Sequence, residues 1–225
     1  MSLTTEQVQF FHHNGFIKLP NQLPEETVDE LKETIWKHIN EKIDPIVRDW
    51  KGRIVRISNI WDRAPIFNEV MTFPTALDSL ECLLGPNIEL LTNRHNHATL
   101  RLADERDGMS LALHRDVRQW SRTIVTIIFY LEDTTLENGC THLIPGSHLL
   151  AETSGIREQA VAAPMPAGGM LAINSMMLHA AGQNKTDDTR MSMTVGYHSV
   201  DELSDAENPK RVLVRGERAY QGNDR

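Results

Sequence analysis

Thr123-Ile124-Val125-Thr126-Ile127-Ile128-Phe129-Tyr130 decides the fold class, because every residue in it is β-branched or aromatic and none is charged. Such a run suits a pleated surface, and its lack of polar alternation suits a central strand covered on both faces. Around it, from residue 88 onward, short apolar runs alternate with turn residues, which is the signature of further strands. The candidates are residues 88–93, 98–102, 110–116, 123–131, 141–144, 170–173 and 191–198, with polar surface loops at 103–108, 132–139 and 183–189. Many short strands without intervening helices predict a sandwich or small barrel.

The preceding third reads as helical. Thr4 followed by Gln7 forms a capping-box pattern ahead of Val8 and Phe11, and Gly15 stops the helix before Phe16-Ile17-Lys18-Leu19. In a second helix Val28, Leu31, Ile35, Ile39 and Ile43 recur at three- and four-residue spacing, with Glu25 and Glu26 in the first turn. A third covers residues 75–84 with the stripe Leu77, Leu80 and Leu84, and ends at Gly85-Pro86. The expectation is one domain across 1–225, mainly β with N-terminal helices. Residues 1–87 form a mainly helical region packed on the outside, 88–200 the β core and 201–225 a C-terminal tail.

The 225 residues are 40% hydrophobic and 24% charged, enough for one substantial core. A formal charge of −8 and an isoelectric point near 5.7 argue against nucleic acid or anionic membrane as partners. No apolar run approaches the roughly 20 residues that span a bilayer, and residues 1–19 lack the basic and apolar regions of a secretory signal. Cys82 and Cys140 are too few for a disulfide framework, and the terminal Gly222-Asn223-Asp224-Arg225 carries no peroxisomal address. A soluble cytoplasmic protein acting on a small molecule is expected, with its oligomeric state open.

The chemistry centres on His114-Arg115-Asp116. Strand residues i and i+2 share a face, so His114 and Asp116 can point together into a barrel. A second imidazole would complete one face of an octahedron and leave three positions open, as in non-haem iron(II) oxygenases. His-x-Asp alone carries little weight: ten histidines and 14 aspartates give about 0.6 chance occurrences in 225 residues, and it occurs once. Its significance depends on the residues downstream of it and on their spacing.

Three segments resemble the phytanoyl-CoA dioxygenase family of 2-oxoglutarate-dependent oxygenases. They are His114-Arg115-Asp116 with Trp120 four positions on; Glu137-Asn138-Gly139 leading to Pro145-Gly146-Ser147-His148; and Gly169 through His179 to Asn184 and Arg190, which follows His179 by eleven positions. Together they cover about residues 88–200, half of the chain. The resemblance implies a double-stranded β-helix, the cupin-like jelly roll, with Fe(II) held by His114, Asp116 and His179 between its sheets. It also implies 2-oxoglutarate and O2 as co-substrates, the far carboxylate of the 2-oxo acid being received by Arg190 and by Ser192 on the same strand face. Asn93 and His97, on one strand face if that strand is unbroken, and Trp120 are further candidate contacts. Arg115 and Arg118 are candidates for the primary substrate, and His148 for a loop-ordering hydrogen bond.

The expected reaction is oxidation of a small metabolite or natural product through abstraction of a substrate hydrogen. Hydroxylation is the default, and ring closure, desaturation or epimerisation can follow the same step. Asp116 in the carboxylate position disfavours halogenation. Two rivals are a 2-oxoglutarate-independent cupin-like metal enzyme, disfavoured by Arg190, and a non-catalytic jelly-roll binding protein, disfavoured by the complete ligand set.

Overall fold

The computed structural model describes residues 2–103, 112–117, 123–200 and 210–218. Helix α1, Thr5–Asn14, begins at the predicted capping box: Thr4 Oγ1 accepts from Gln7 N and Gln7 Oε1 accepts from Thr4 N. It ends where Gly15 turns left-handed at φ 82°, and strand β1, Phe16–Lys18, follows at once. Helix α2, Glu25–Asn40, buries Val28, Leu31, Ile35 and Ile39, each worth about 1.5–3 kcal/mol when fully covered. Ile43, predicted to extend that stripe, lies beyond the helix end and is exposed.

The first 87 residues are less helical than expected. Strands β2, Ile46–Arg48, and β3, Ile54–Ser58, form a hairpin, and helices α3, Pro65–Met71, and α4, Pro74–Leu84, follow, each with proline in its first turn. The remaining strands are β4 Ile88–Leu91, β5 Asn96–Arg101, β6 Ile124–Tyr130, β7 Thr141–Leu143, β8 Val161–Ala163, β9 Met170–Asn174, β10 His179–Ala181, β11 Arg190–Ser199 and β12 Arg211–Arg215. β12 pairs with β4, so the C-terminal region contributes a strand rather than only a tail. β8 and β10 are three residues each, too short for alternation to be read in sequence.

Among the described residues all strand pairings are antiparallel and fall into two sheets. The larger runs β1-β9-β6-β11-β5-β3-β2, with β4 on the far half of β11, and the smaller runs β10-β7-β8. β6 lies between β9 and β11, and all its residues but Ile128 are buried. The helices pack their apolar stripes against the larger sheet, where Tyr197 at the centre of the core donates its hydroxyl to Met71 O at 2.9 Å. This is the expected jelly-roll arrangement of two antiparallel sheets with helices added at the N-terminal end.

α1 is also tied to the turn after β7. Gly146 N donates to Asn14 O at 2.9 Å and His148 Nε2 donates to His12 O at 3.1 Å, so His148 does make the loop-ordering bond expected of it. Gly15 permits this approach: a Cβ there would lie 2.4 Å from His148 Nδ1, at a backbone φ that side chains rarely adopt. Gly15→Ala is therefore expected to lower stability by about 1–3 kcal/mol in denaturant unfolding. Combined with His148→Ala it should cost less than the two changes added, by about 0.5 kcal/mol or more; strict additivity would mean that the His148 contact is not the cause.

Candidate metal centre

His114 and His179 are brought together by backbone pairing. His114 N donates to His179 O at 3.0 Å and His179 N to His114 O at 3.1 Å, an isolated antiparallel bridge beside β10. On its other edge β10 pairs with β7, His179 opposite Leu143. Asp116 N and Val117 N both donate to Ser175 O at 2.9 and 3.1 Å, and Ser175 N donates to Ile124 O at the start of β6. The segment 112–117 therefore crosses from the smaller sheet to the edge of the larger one. It is not a regular strand among the described residues, yet it still aims His114 and Asp116 at His179.

Their ligand atoms lie within 4.8 Å of one another. His114 Nδ1 donates to Ala112 O and His179 Nδ1 to Met177 O, both at 3.0 Å. With those protons committed to carbonyls, each Nε2 presents a lone pair. Both lone pairs face Asp116, His114 Nε2 at 3.6 Å from Oδ1 and His179 Nε2 at 3.6 Å from Oδ2, too far for hydrogen bonds. Burial lowers the His179 pKa and favours the neutral imidazole. Asp116 Oδ2 is buried with no hydrogen-bond partner, which costs about 1–3 kcal/mol if left so. Two imidazole nitrogens, one carboxylate and an orphaned buried oxygen fit a divalent transition metal between them.

The surrounding cavity of about 330 Å³ is lined from both sheets and includes Arg190, Ser192, Thr194, Thr126, Thr141 and His97. Arg190 and Ser192 sit two apart on β11, opposite Arg101 and Thr99 of β5. The Arg190 guanidinium is buried, its Nε has no partner, and burial lowers its pKa. Of the groups near it, burial pushes the Tyr130 hydroxyl up to about 12 and raises the Cys140 thiol, so both stay protonated, and Glu132 interacts with it electrostatically. Tyr130 is bonded to Thr141 Oγ1 at 2.6 Å, and Glu132 is engaged by Met191 N and Lys32. A buried guanidinium with no hydrogen-bond partner for its Nε among the described residues is suited to an anion from outside the chain.

The other predicted contacts fare unequally. The strand is broken between β4 and β5, so Asn93 falls in a turn and does not line the cavity, whereas His97 does. The break brings in His95, which sequence reasoning missed: at φ 48° it places Nε2 3.7 Å from Asp116 Oδ2. Arg115 turns away from the cavity and donates to Ser147 O at 2.7 Å and to Leu150 O, holding the turn after β7. Trp120 and Arg118 lie outside the described residues. Arg56, which also lines the cavity, stands on the unpredicted β3. The signal for it was the pair Ile46-Val47-Arg48 and Ile54-Val55-Arg56-Ile57 around Asp49 and Gly52, a hairpin pattern.

Two motifs that carried the resemblance, Glu137-Asn138-Gly139 and Pro145-Gly146-Ser147-His148, frame this centre rather than line it. Ser147 Oγ accepts from Leu178 N at 2.8 Å and Ile144 N donates to Leu178 O at 3.0 Å, fixing the residue before His179. At the other end of β7, Gly139 has φ 80° and a Cβ there would stand 2.4 Å from Gly182 O, so only glycine lets the Glu137-Asn138-Gly139 turn close on the chain after β10.

Comparison with known proteins agrees with this geometry. The phytanoyl-CoA dioxygenase (PhyH) family model matches residues 11–192. The human peroxisomal phytanoyl-CoA dioxygenase is 23% identical over 240 residues, covering 88% of this chain and 69% of that protein. The iron/alpha-ketoglutarate-dependent dioxygenase penM of Penicillium thymicola is 26% identical over 230 residues, covering 89% and 70%. Among solved structures, the non-heme alpha ketoglutarate dependent epimerase SnoN from nogalamycin biosynthesis superposes with a TM-score of 0.77 at 20% identity, covering 96% of this chain and 97% of that one. With the family model spanning most of the sequence and the fold shared from end to end, the chain belongs to the phytanoyl-CoA dioxygenase family.

Proposed function

We propose that this protein is an Fe(II)- and 2-oxoglutarate-dependent dioxygenase that oxidises a C–H bond of a small-molecule substrate, with hydroxylation as the default outcome. The observation that carries the reading is the juxtaposition, in one cavity, of two imidazoles and a carboxylate with an orphaned buried oxygen, beside a buried guanidinium whose Nε has no hydrogen-bond partner. His114, Asp116 and His179 would hold iron, which when bound supplies activation of O2 coupled to decarboxylation of the 2-oxo acid.

The rest falls to the chain. The Nδ1 bonds to Ala112 O and Met177 O keep both imidazoles in the tautomer that offers Nε2. Arg190 would receive the far carboxylate of 2-oxoglutarate through a two-donor fork, and Ser192, on the same face of β11, can add a hydroxyl. Thr141 and Tyr130 keep the wall behind Arg190 polar but uncharged. We place the enzyme in a reducing compartment such as the cytoplasm, a reading supported by Cys82 and Cys140 both being free. Among the described residues no helix is long and apolar enough to cross a membrane. A natural-product or other small metabolite is the substrate class we favour.

Metal binding should be visible as stability. Fe(II) added anaerobically at one hundred times its dissociation constant should stabilise the fold by about 2.7 kcal/mol, raising the melting temperature. His114→Ala, Asp116→Ala and His179→Ala should each abolish that rise while the metal-free melting temperature stays the same or increases. A rise of equal size in all three variants would place the metal elsewhere.

Arg190→Ala should weaken 2-oxoglutarate binding by about 10- to 100-fold, as expected for a buried charge-assisted contact worth about 1.5–3 kcal/mol, with iron affinity little changed. Arg190→Lys, which keeps the charge but not the fork, should fall between. Isothermal titration in the presence of Fe(II) checks this, and an unchanged dissociation constant in Arg190→Ala would return the site to a metal enzyme independent of 2-oxoglutarate.

A further inference from the structure

The cavity around the metal ligands does not end there. A second cavity, of about 390 Å³, opens beyond it beneath the β2–β3 hairpin, and the two share Arg56, Thr99 and Arg101 in their walls. Its rim carries Trp50, at the hairpin tip, with 73% of its surface exposed. The two cavities are thus neighbours, with Arg56 in the wall they share and Trp50 on the rim of the outer one.

Arg56 differs from the other cations of the hairpin. Arg53 Nε is bound to Asp49 Oδ2 at 2.8 Å, Arg48 donates to Gly52 O at 2.8 Å, and the Lys51 ammonium lies over the Trp50 ring at 5.1 Å. Among the described residues the Arg56 guanidinium makes no hydrogen bond or ion pair, although it borders both cavities. It stands opposite Thr99 of β5 and Val47 of β2, and neither neighbour carries a charge. In a chain of net charge −8, a cation with no partner among the described residues at this junction is a local reversal of sign and would attract an anion.

Arg56 and Arg190 approach the cavity from different strands. Arg56 pairs with Thr99, and Thr99 pairs with Ser192, so two strand spacings of about 4.8 Å separate Arg56 from the β11 row. If 2-oxoglutarate places one carboxylate at the metal and the other at Arg190, Arg56 is left for a third anionic group.

We infer that Arg56 is a specificity-determining residue for the primary substrate, which is a small molecule carrying an anionic oxygen group, carboxylate or phosphate, on an aromatic or apolar body that extends along Trp50. The inference rests on the proposed oxygenase reading of the His114, Asp116 and His179 centre. It separates two anion sites by function: Arg190 receives the co-substrate and Arg56 selects the substrate.

The test is binding to the anaerobic Fe(II) protein saturated with 2-oxoglutarate, with 2-naphthoate, 2-naphthyl phosphate and the neutral 2-naphthamide as probes. At least one of the two anions should bind about tenfold or more tightly than the amide, and the carboxylate and phosphate arms show which group is preferred. Arg56→Gln should remove the preference while leaving the 2-oxoglutarate dissociation constant within about twofold, and Arg56→Lys should retain part of it. Arg56→Glu should instead favour the cationic 2-naphthylmethylammonium, an inversion that a misfolded variant could not give. Equal binding of anions and amide by the natural protein, or a preference unchanged in Arg56→Gln, overturns the inference. So does loss of 2-oxoglutarate binding in Arg56→Gln, which would make Arg56 a co-substrate contact. If the natural protein itself fails to bind 2-oxoglutarate, the oxygenase reading falls, and the assignment of the anion to a substrate falls with it.

Discussion

Two imidazole lone pairs and a carboxylate are held face to face within 4.8 Å, and much of the surrounding architecture serves to keep them there. Left to themselves these groups would separate, because none donates a proton to another at 3.6 Å and the Asp116 oxygen between them is cut off from water. The chain resists this with backbone bonds. The reciprocal His114 and His179 pair fixes two ligands, the double donation from Asp116 and Val117 to Ser175 fixes the third, and Ser175 is tied to β6 through Ile124 O and Thr126 Oγ1. The repulsion is built in by main-chain geometry and relieved by a cation, so the site is arranged before the metal arrives.

The next layer explains why segments without a ligand are part of the site. β7 is three residues long and would be a weak strand alone. The Gly139 turn closes it against Gly182 at one end, and the turn containing Gly146, Ser147 and His148 fastens it to Leu178 and α1 at the other. Arg115, between the two ligands in sequence, adds its guanidinium to the same turn. The position of His179 is thus set by contacts that reach back to the first helix of the chain. The larger sheet contributes the other half of the chemistry, a wall of hydroxyls and guanidiniums along β11, β5 and β3.

How much could be read in sequence depends on how local each cause is. The α1 capping box and its Gly15 stop, the stripe of α2 and the long central β6 are short-range signals, and they reappear nearly residue for residue. The strands that carry the site are harder to read. β10 has three residues, and 112–117 is fixed by a single bridge and two bonds to Ser175, so no periodicity marked them and only the spacing of a family pattern did. The β2–β3 hairpin was hidden because its two strands are only three and five residues long and lie between helices. That omission concealed Arg56. The left-handed turn at His95, which puts Asn93 outside the cavity and His95 inside it, depends on pairing of β4 and β5 with different parts of β11, a tertiary cause with no local trace.

The central claim is that one cavity binds Fe(II) through His114, Asp116 and His179 and 2-oxoglutarate beside it. Anaerobic optical titration addresses it most directly, because 2-oxoglutarate chelated to iron(II) gives a weak visible charge-transfer band that neither component gives alone. The account predicts a band that saturates at one equivalent of each and is absent in Asp116→Ala. No band in the natural protein, or an undiminished band in Asp116→Ala, would contradict it.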